Sequence, residues 1–180
     1  MIDPSFTSVF AFSLFAISLS SSKSSTILSA EALDIIIITK IIDKIIKDNN
    51  ICIAYDIKDV KLTDEQKFVY SLNKFEAEVN NGGLCQFFVN SSSECAPYIS
   101  DALAAVGAIG LKTLFDNFII ENNIDVNDLS SFKISNIDEY EAQTERFDFD
   151  GFDDKFYEDE NLHQQIIDYA RKHVEQLIVE

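Results

Sequence analysis

Residues that end or bend helices are scarce in this sequence. Its 180 residues include only two Pro and five Gly, whereas a chain that turns back on itself many times needs both residue types often. Long helices are therefore favoured over a β-sandwich. Fifteen Phe and six Tyr supply large apolar side chains for one core. We predict an all-α fold: a single helical-bundle domain of about six helices over residues 31–180, with an N-terminal extension at residues 1–30.

Polar spacing and capping signals place the first three helices. Residues 30–49 are rich in Ile, and polar residues recur every three or four positions, which favours a helix over a buried strand. Residues 63–66 (TDEQ) fit a capping box. The helix predicted at residues 64–79 ends at residues 80–83, because Gly readily adopts the left-handed conformation found at helix ends. A short helix at residues 84–90 then completes a helix–turn–helix corner.

Three further helices are predicted in the second half of the chain. Residues 101–121 carry one apolar stripe, and Gly107 and Gly110 within it indicate close packing, since Gly costs up to ~1 kcal/mol inside a helix. A charged helix at residues 137–146 precedes a mixed acidic and aromatic segment. The last helix covers residues 162–178. Its inward residues are predicted to be Leu162, Ile166, Ala170, Val174, Leu177 and Ile178.

Negative charge is concentrated in the last third of the chain. The formal net charge is −17, and residues 121–180 hold seventeen acidic and five basic residues. Such a surface repels nucleic acid and anionic lipid and attracts basic proteins. We therefore expect no direct nucleic-acid binding and no membrane binding. The simpler alternative is a solvated acidic surface that serves solubility alone.

The N-terminal extension contains an apolar run, VFAFSLFAISL, at residues 9–19. Its length suits a signal peptide, but the residues before it include Asp3 and no Lys or Arg, whereas export signals begin with positive charge. The run is also short for a membrane span. An extension of the folded protein is favoured, and an atypical export signal and a short membrane-associating segment stay open as alternatives.

Neither a metal site nor a cofactor is expected. The three cysteines, Cys52, Cys85 and Cys95, lack CxxC spacing, which favours free buried thiols and a cytoplasmic location over a disulfide framework or a zinc site. His163 and His173 are ten residues apart, which places them about 15 Å apart along a helix axis. One metal ion cannot be reached by both side chains.

Residues 147–154, FDFDGFDD, invite a calcium-loop or phosphatase interpretation. A calcium loop beginning at Asp148 would need oxygen ligands at positions 1, 3 and 5 and Gly at position 6. Position 5 is Phe152, and Gly151 falls one place early. The nucleophile loop of a dehalogenase-type phosphatase follows a buried apolar strand, whereas the residues that precede this segment are polar. We expect no catalytic residue and no enzymatic activity.

Residues 76–90, EAEVNNGGLCQFFVN, carry a pattern that resembles the signature of the bacterial DNA-mimic protein family, which also occurs as a widespread helical domain of unknown function. The family pattern can be written E-x-x-N-G-G-[FL]-x-Q-[FY]-[FL]-x-N. Similar features follow, an Ala-rich helix and an aromatic and acidic stretch before the last helix, so the resemblance covers roughly residues 35–178. The matching motif residues are Asn81, Gly82, Gly83, Gln86, Phe87, Phe88 and Asn90.

The resemblance implies an all-helical fold without known enzymatic activity. For the characterised type it implies a homodimer whose acidic face binds a transcription factor in place of DNA. The motif also has a structural explanation, in which Asn81 to Gly83 stop a helix, and Gln86 and Asn90 satisfy unpaired backbone groups at the corner. This structural role is favoured over a ligand site, for which Gln86 and Asn90 would be the candidates.

Carboxylates in the last third are the candidate partner-binding residues. Side chains three and four apart on a helix lie roughly 5–6 Å from one another, near the spacing of successive phosphates along a DNA strand. Binding through such a row weakens steeply with salt. Some of these acids are expected to cap helices instead. The candidates are Asp138, Glu139, Glu141, Glu145, Asp148, Asp150, Asp153, Asp154, Glu158, Asp159 and Glu160.

Three functions compete on these observations. The first is an acidic protein that imitates the charge of DNA and occupies a basic DNA-binding partner such as a transcription factor. The second is an immunity or adaptor protein that neutralises a toxin or enzyme through a shape-specific interface. The third, an enzyme, would need a concave pocket with perturbed titrating groups. They are favoured in that order.

Overall fold

The computed structural model describes residues 30–49, 51, 57–159 and 161–178. The predicted N-terminal extension with its apolar run, Cys52 and Glu160 lie outside the described residues. The all-α prediction is confirmed, since the described part of the chain contains helices and no β-strand. None of its helices is long and apolar enough to span a membrane.

Eight α-helices and three short 3-10 helices make up the described structure. The α-helices are α1 (Ala30–Asp48), α2 (Asp64–Val89), α3 (Ala96–Val106), α4 (Ile109–Glu121), α5 (Ile137–Arg146), α6 (Phe149–Tyr157), α7 (Leu162–Lys172) and α8 (Val174–Leu177). The 3-10 helices are Ile57–Asp59, Ser91–Cys95 and Ser130–Phe132. A division of the chain after Lys40 falls within α1, and the residues from Ile41 onward form one compact unit.

Helix α2 begins at the predicted capping box. The Thr63 hydroxyl accepts from the Gln66 N–H, and the Thr63 N–H donates to the Gln66 side-chain oxygen, each at 3.1 Å. The buried Gln66 amide also donates to the Leu177 carbonyl at 3.1 Å. This bond ties the beginning of α2 to α8, 111 residues later.

The prediction of a single helix at residues 101–121 is wrong, because the structure has two helices there, α3 and α4. Gly107 adopts a left-handed φ of 84° and caps α3, and its N–H bonds to carbonyls of the last turn. The predicted close packing at Gly107 and Gly110 is also wrong, since a Cβ added at either residue would meet no atom within 4 Å. The apolar stripe continues through residues 101–121 without interruption, so it gave no sign of the turn at Gly107, which is exposed to solvent.

The last predicted helix is likewise divided, at His173, into α7 and α8. Leu177 is buried as predicted, but Val174 and Ile178 are 42% and 39% exposed, so their predicted inward positions are wrong. The break rotates the chain and turns Val174 outward. The segment between the predicted helices, in contrast, forms the additional helix α6, whose first turn is capped by Asp148.

Phenylalanines from three α-helices, α2, α4 and α6, meet at the centre of the core. Phe75 on α2 contacts Phe87, Phe115 and Phe156 edge to face, with ring centroids 5.1, 5.7 and 5.7 Å away. Edge-to-face packing suits the charge distribution of aromatic rings and adds to the gain from burial. A second cluster is centred on Phe88 and contains Phe118, Phe132 and Phe149.

Candidate protein-binding site

The predicted helix stop at the family motif is confirmed as a sharp kink within α2. Gly82 (φ −166°, ψ 26°) and Gly83 (φ 78°, ψ 177°) leave the helical conformation, and the helix resumes at Leu84. The backbone of Gly83 lies in a region open almost only to glycine. Because a helix that begins anew has N–H groups without helical partners, the Leu84 N–H needs an acceptor from elsewhere.

Asp153 on α6 supplies that acceptor. Its carboxylate accepts from the Leu84 N–H at 2.9 Å. Burial raises the pKa of Asp153, the bond from Leu84 lowers it, and the nearby Asp150 and Asp154 raise it further. The Tyr157 hydroxyl donates to the Val79 carbonyl at 2.6 Å, one turn before the kink. Helix α6 therefore holds the kink from both sides.

Glu78 joins the two halves of the kinked helix to the segment that follows. One of its carboxylate oxygens accepts from the side-chain amides of Gln86 at 2.7 Å and Asn90 at 2.9 Å. The other accepts from the Ser92 hydroxyl at 3.0 Å. The predicted structural role of Gln86 and Asn90 therefore has a different partner: their amides bond a carboxylate rather than unpaired backbone groups. Glu78 was not among the predicted motif residues, although the family pattern begins with that residue.

Replacing Glu78 with glutamine is expected to lower the free energy of unfolding by about 1–3 kcal/mol, the range for a partly buried donor that loses a charged acceptor. In the variant, an NH₂ group replaces one carboxylate oxygen of Glu78 and faces the side-chain donors that now bond to that oxygen. Urea denaturation would measure the change. The exposed Glu121 is the matched control, and Glu121→Gln should stay within about 0.5 kcal/mol of the parent. Equal effects of the two substitutions would show that the Glu78 bonds contribute nothing.

The two cysteines in the described ranges, Cys85 and Cys95, are buried thiols outside any disulfide, as predicted. Burial raises the pKa of the Cys85 thiol to about 11, although a hydrogen bond with Tyr140 lowers it. Such a thiol stays protonated at neutral pH and is a poor nucleophile. Cys85 therefore serves packing between α2 and α5.

Six candidate acids form two exposed rows on two helices that are consecutive in the chain, α5 and α6. Side chains three or four positions apart share a helix face, and each row repeats at that interval while the opposite side of α6 buries three phenylalanines. We call these the α5 row and the α6 row. The α5 row is Asp138, Glu141 and Glu145, and the α6 row is Asp150, Asp154 and Glu158.

The other described candidates are occupied in local structure. Glu139 accepts from the Ser135 N–H at 2.6 Å, and Asp148 accepts from the Gly151 N–H at 3.0 Å. Asp159 accepts from the Asn161 N–H at 2.9 Å. Asp153 holds the kink. These four carboxylates fix helix ends and turns, a role that was predicted for some of the candidates.

No basic side chain neutralises either row within the described structure. The ion pairs formed there involve other acids, such as Asp116 and Asp168. The nearby Arg146 lies over the ring of Phe147, 4.8 Å from its centroid. The six carboxylates are therefore left to solvent or to a partner.

The two histidines occupy different environments. His163 Nδ1 lies 3.1 Å from a carboxylate oxygen of Glu76, whereas the ring of His173 stacks on Tyr169, with centroids 4.3 Å apart. No group of three or more His, Cys, Asp or Glu side chains in the described ranges is arranged to hold a metal ion.

A family model described as DMP19-like protein matches residues 60–173. The chain belongs to the DMP19-like protein family. The DMP19-like region contains Glu78, the glycine kink and both acidic rows. No curated protein and no solved structure significantly matches the chain.

Proposed function

We propose that this DMP19-like protein is an acidic binding module that imitates the charge of DNA and occupies a basic DNA-binding protein, such as a bacterial transcription factor in the cytoplasm. Membership of a family of DNA mimics supports the proposal. The observation that carries it is the pair of exposed rows, whose carboxylates form no ion pair with a basic side chain of the described residues. This role requires no catalysis and no cofactor. A homodimer, the form that the family resemblance implies, belongs to the proposal.

The chemistry of the rows suits a surface that normally binds DNA. Such a surface presents Lys and Arg at intervals that match phosphates. Carboxylates roughly 5–6 Å apart along a helix face can meet the same cations. Attraction between the exposed charges and the cations of the partner increases mainly the rate of association. Because salt screens exposed charges, this attraction falls as the salt concentration rises.

Neutralising the α6 row with Asp150→Asn, Asp154→Asn and Glu158→Gln is expected to weaken partner binding roughly 3- to 150-fold. Exposed ion pairs contribute roughly 0.2–1 kcal/mol each, and three are lost. The partner would be captured from a host extract on immobilised protein, identified, and its affinity measured at low and high salt. Duplex DNA should displace it, and the variant should show a shallower salt dependence.

A charge-matched control is available elsewhere on the surface. Asp101, Glu121 and Glu175 are exposed and lie on α3, α4 and α8. Their triple substitution with Asn, Gln and Gln changes the net charge equally and should leave the affinity nearly unchanged. If both triple variants lose affinity to the same extent, net charge rather than the α6 row governs binding, and the DNA-imitating role fails.

A shape-specific interface, as in an immunity or adaptor protein, is the second candidate function. Helix α4 favours it, because Ile109 and Ile120 are 57% and 74% exposed, and exposed apolar side chains can act as anchors in an interface. In that case Ile120→Ala would weaken binding more than the α6-row variant, and duplex DNA would not compete.

A further inference from the structure

A pocket of about 250 Å³ lies where α2, the end of α6 and the start of α7 meet. None of the six row residues is in its lining. Phe156 and Leu162, both buried, contribute apolar surface to it, and the half-exposed Tyr157 contributes an aromatic ring. The Tyr157 hydroxyl is fixed by its bond to Val79, so the ring is held in place.

The polar lining of the pocket is acidic. Glu76 and Asp159 contribute carboxylates, Asn80 an amide and His163 an imidazole ring, and no Lys or Arg is among the described residues that line the pocket. One oxygen of Glu76 lies beside His163, and one oxygen of Asp159 accepts from Asn161. The second oxygen of each carboxylate makes no hydrogen bond with another described residue. Two carboxylate oxygens therefore remain as acceptors beside aromatic rings.

This combination suits a flat cation. A guanidinium group offers several N–H donors in one plane, bonds carboxylates through pairs of them, and stacks on aromatic rings. The volume is below the range of about 300–1,000 Å³ for small-molecule sites, which favours an occupant the size of one side chain. Anions would be repelled by the two carboxylates.

We propose that this pocket binds an arginine side chain of the basic partner, as an anchor beside the acidic rows. The inference rests on the proposed function, because it assigns the arginine to the same partner. The rows would steer that partner by long-range attraction, and the pocket would fix its position by short-range contacts with one residue.

The test uses a single cation in place of the partner. N-acetyl-L-arginine amide would be titrated into the full chain, with the Asn80 side-chain amide and the His163 ring followed by NMR. We expect saturable shifts at both groups, with a dissociation constant on the order of 1 mM. N-acetyl-L-citrulline amide, which has nearly the same shape and no charge, should produce no saturable shift.

Glu76→Gln should weaken arginine binding about tenfold or more, as expected when a charge-assisted hydrogen bond is lost. Asp159→Asn, in a surface turn, provides a second variant if the first unfolds, as judged by circular dichroism. The exposed control Glu121→Gln should bind the probe like the parent.

Equal binding of the citrulline probe, or shifts confined to the two rows, would overturn the assignment of the pocket. The proposed function is tested separately, because loss of partner binding in the α6-row variant does not depend on the arginine probe. A pocket that fails this titration would leave the rows as the binding surface. If the α6-row variant keeps its affinity for the partner while the pocket binds the arginine probe, the DNA-imitating role fails instead.

Discussion

Replacing Gly83 with alanine is expected to lower the free energy of unfolding by about 3–5 kcal/mol. The backbone conformation at this residue costs a side-chain-bearing residue on the order of 1–3 kcal/mol. A Cβ there would also lie 2.1 Å from a carboxylate oxygen of Asp153. Moving that carboxylate away would break its bond to Leu84, at a further cost of about 1.5–3 kcal/mol. Urea denaturation with linear extrapolation would measure the loss.

A substitution at Gly107 measures the backbone cost without the contact with Asp153. This glycine also has a left-handed φ, 84°, but a Cβ there would meet open space. Gly107→Ala should therefore cost only about 1–2 kcal/mol, the backbone contribution alone. If the two substitutions destabilise the protein equally, the contact between Gly83 and Asp153 does not hold the kink, and our account of α6 as its support is wrong.

Truncating Phe75 to alanine is expected to cost about 3–5 kcal/mol. Its side chain is 1% exposed and contacts aromatic rings from three other positions in the sequence. Removing a ring from such a core loses the burial free energy and leaves a cavity that the neighbours fill only in part. Thermal and urea denaturation should show the loss together with a retained helical circular dichroism signal at low temperature.

Phe68, two turns earlier on the same helix, is the matched control because it is only half-buried. Its truncation should cost about 1–2 kcal/mol, in proportion to the smaller apolar area that folding removes from water. A Phe68 variant as unstable as the Phe75 variant would indicate that ring contacts at the centre add little beyond helix formation.

The features predicted well from the sequence are those with local causes. The capping box at Thr63 and Gln66 depends on groups three residues apart, and the kink depends on two adjacent glycines. Both signals lie within one short segment, so a single sequence contains the physical information needed. The predicted helix at residues 137–146 was confirmed with the same bounds because Asn136 caps it locally.

The errors share the opposite property. The stripe through residues 101–121 continues in phase across Gly107, so periodicity alone could not show that the chain turns there. The break at His173 has no Gly or Pro to mark it. Asp153 and Leu84 are 69 residues apart, and nothing near either residue indicates that the carboxylate would be the acceptor for that N–H. Long-range partners of this kind need the folded structure.

Among the candidate acids, some roles have a local cause and others depend on residues far away in the sequence. Asp148 could have been recognised as a cap, because it lies three residues before Gly151 at the start of a helix. The sequence correctly located the charge but could not divide it into supporting and exposed carboxylates. That division reduced ten described candidates to the six of the two rows.

The helices that carry the two rows differ in how many side chains they bury in the core. Helix α6 is anchored in the core by Phe149, Phe152 and Phe156, whereas α5 buries no side chain. An element with so little buried apolar surface opens at low free-energy cost while the rest of the protein stays folded. We therefore expect the α5 row to shift at a lower free-energy cost than the α6 row, whose helix is held by its buried rings.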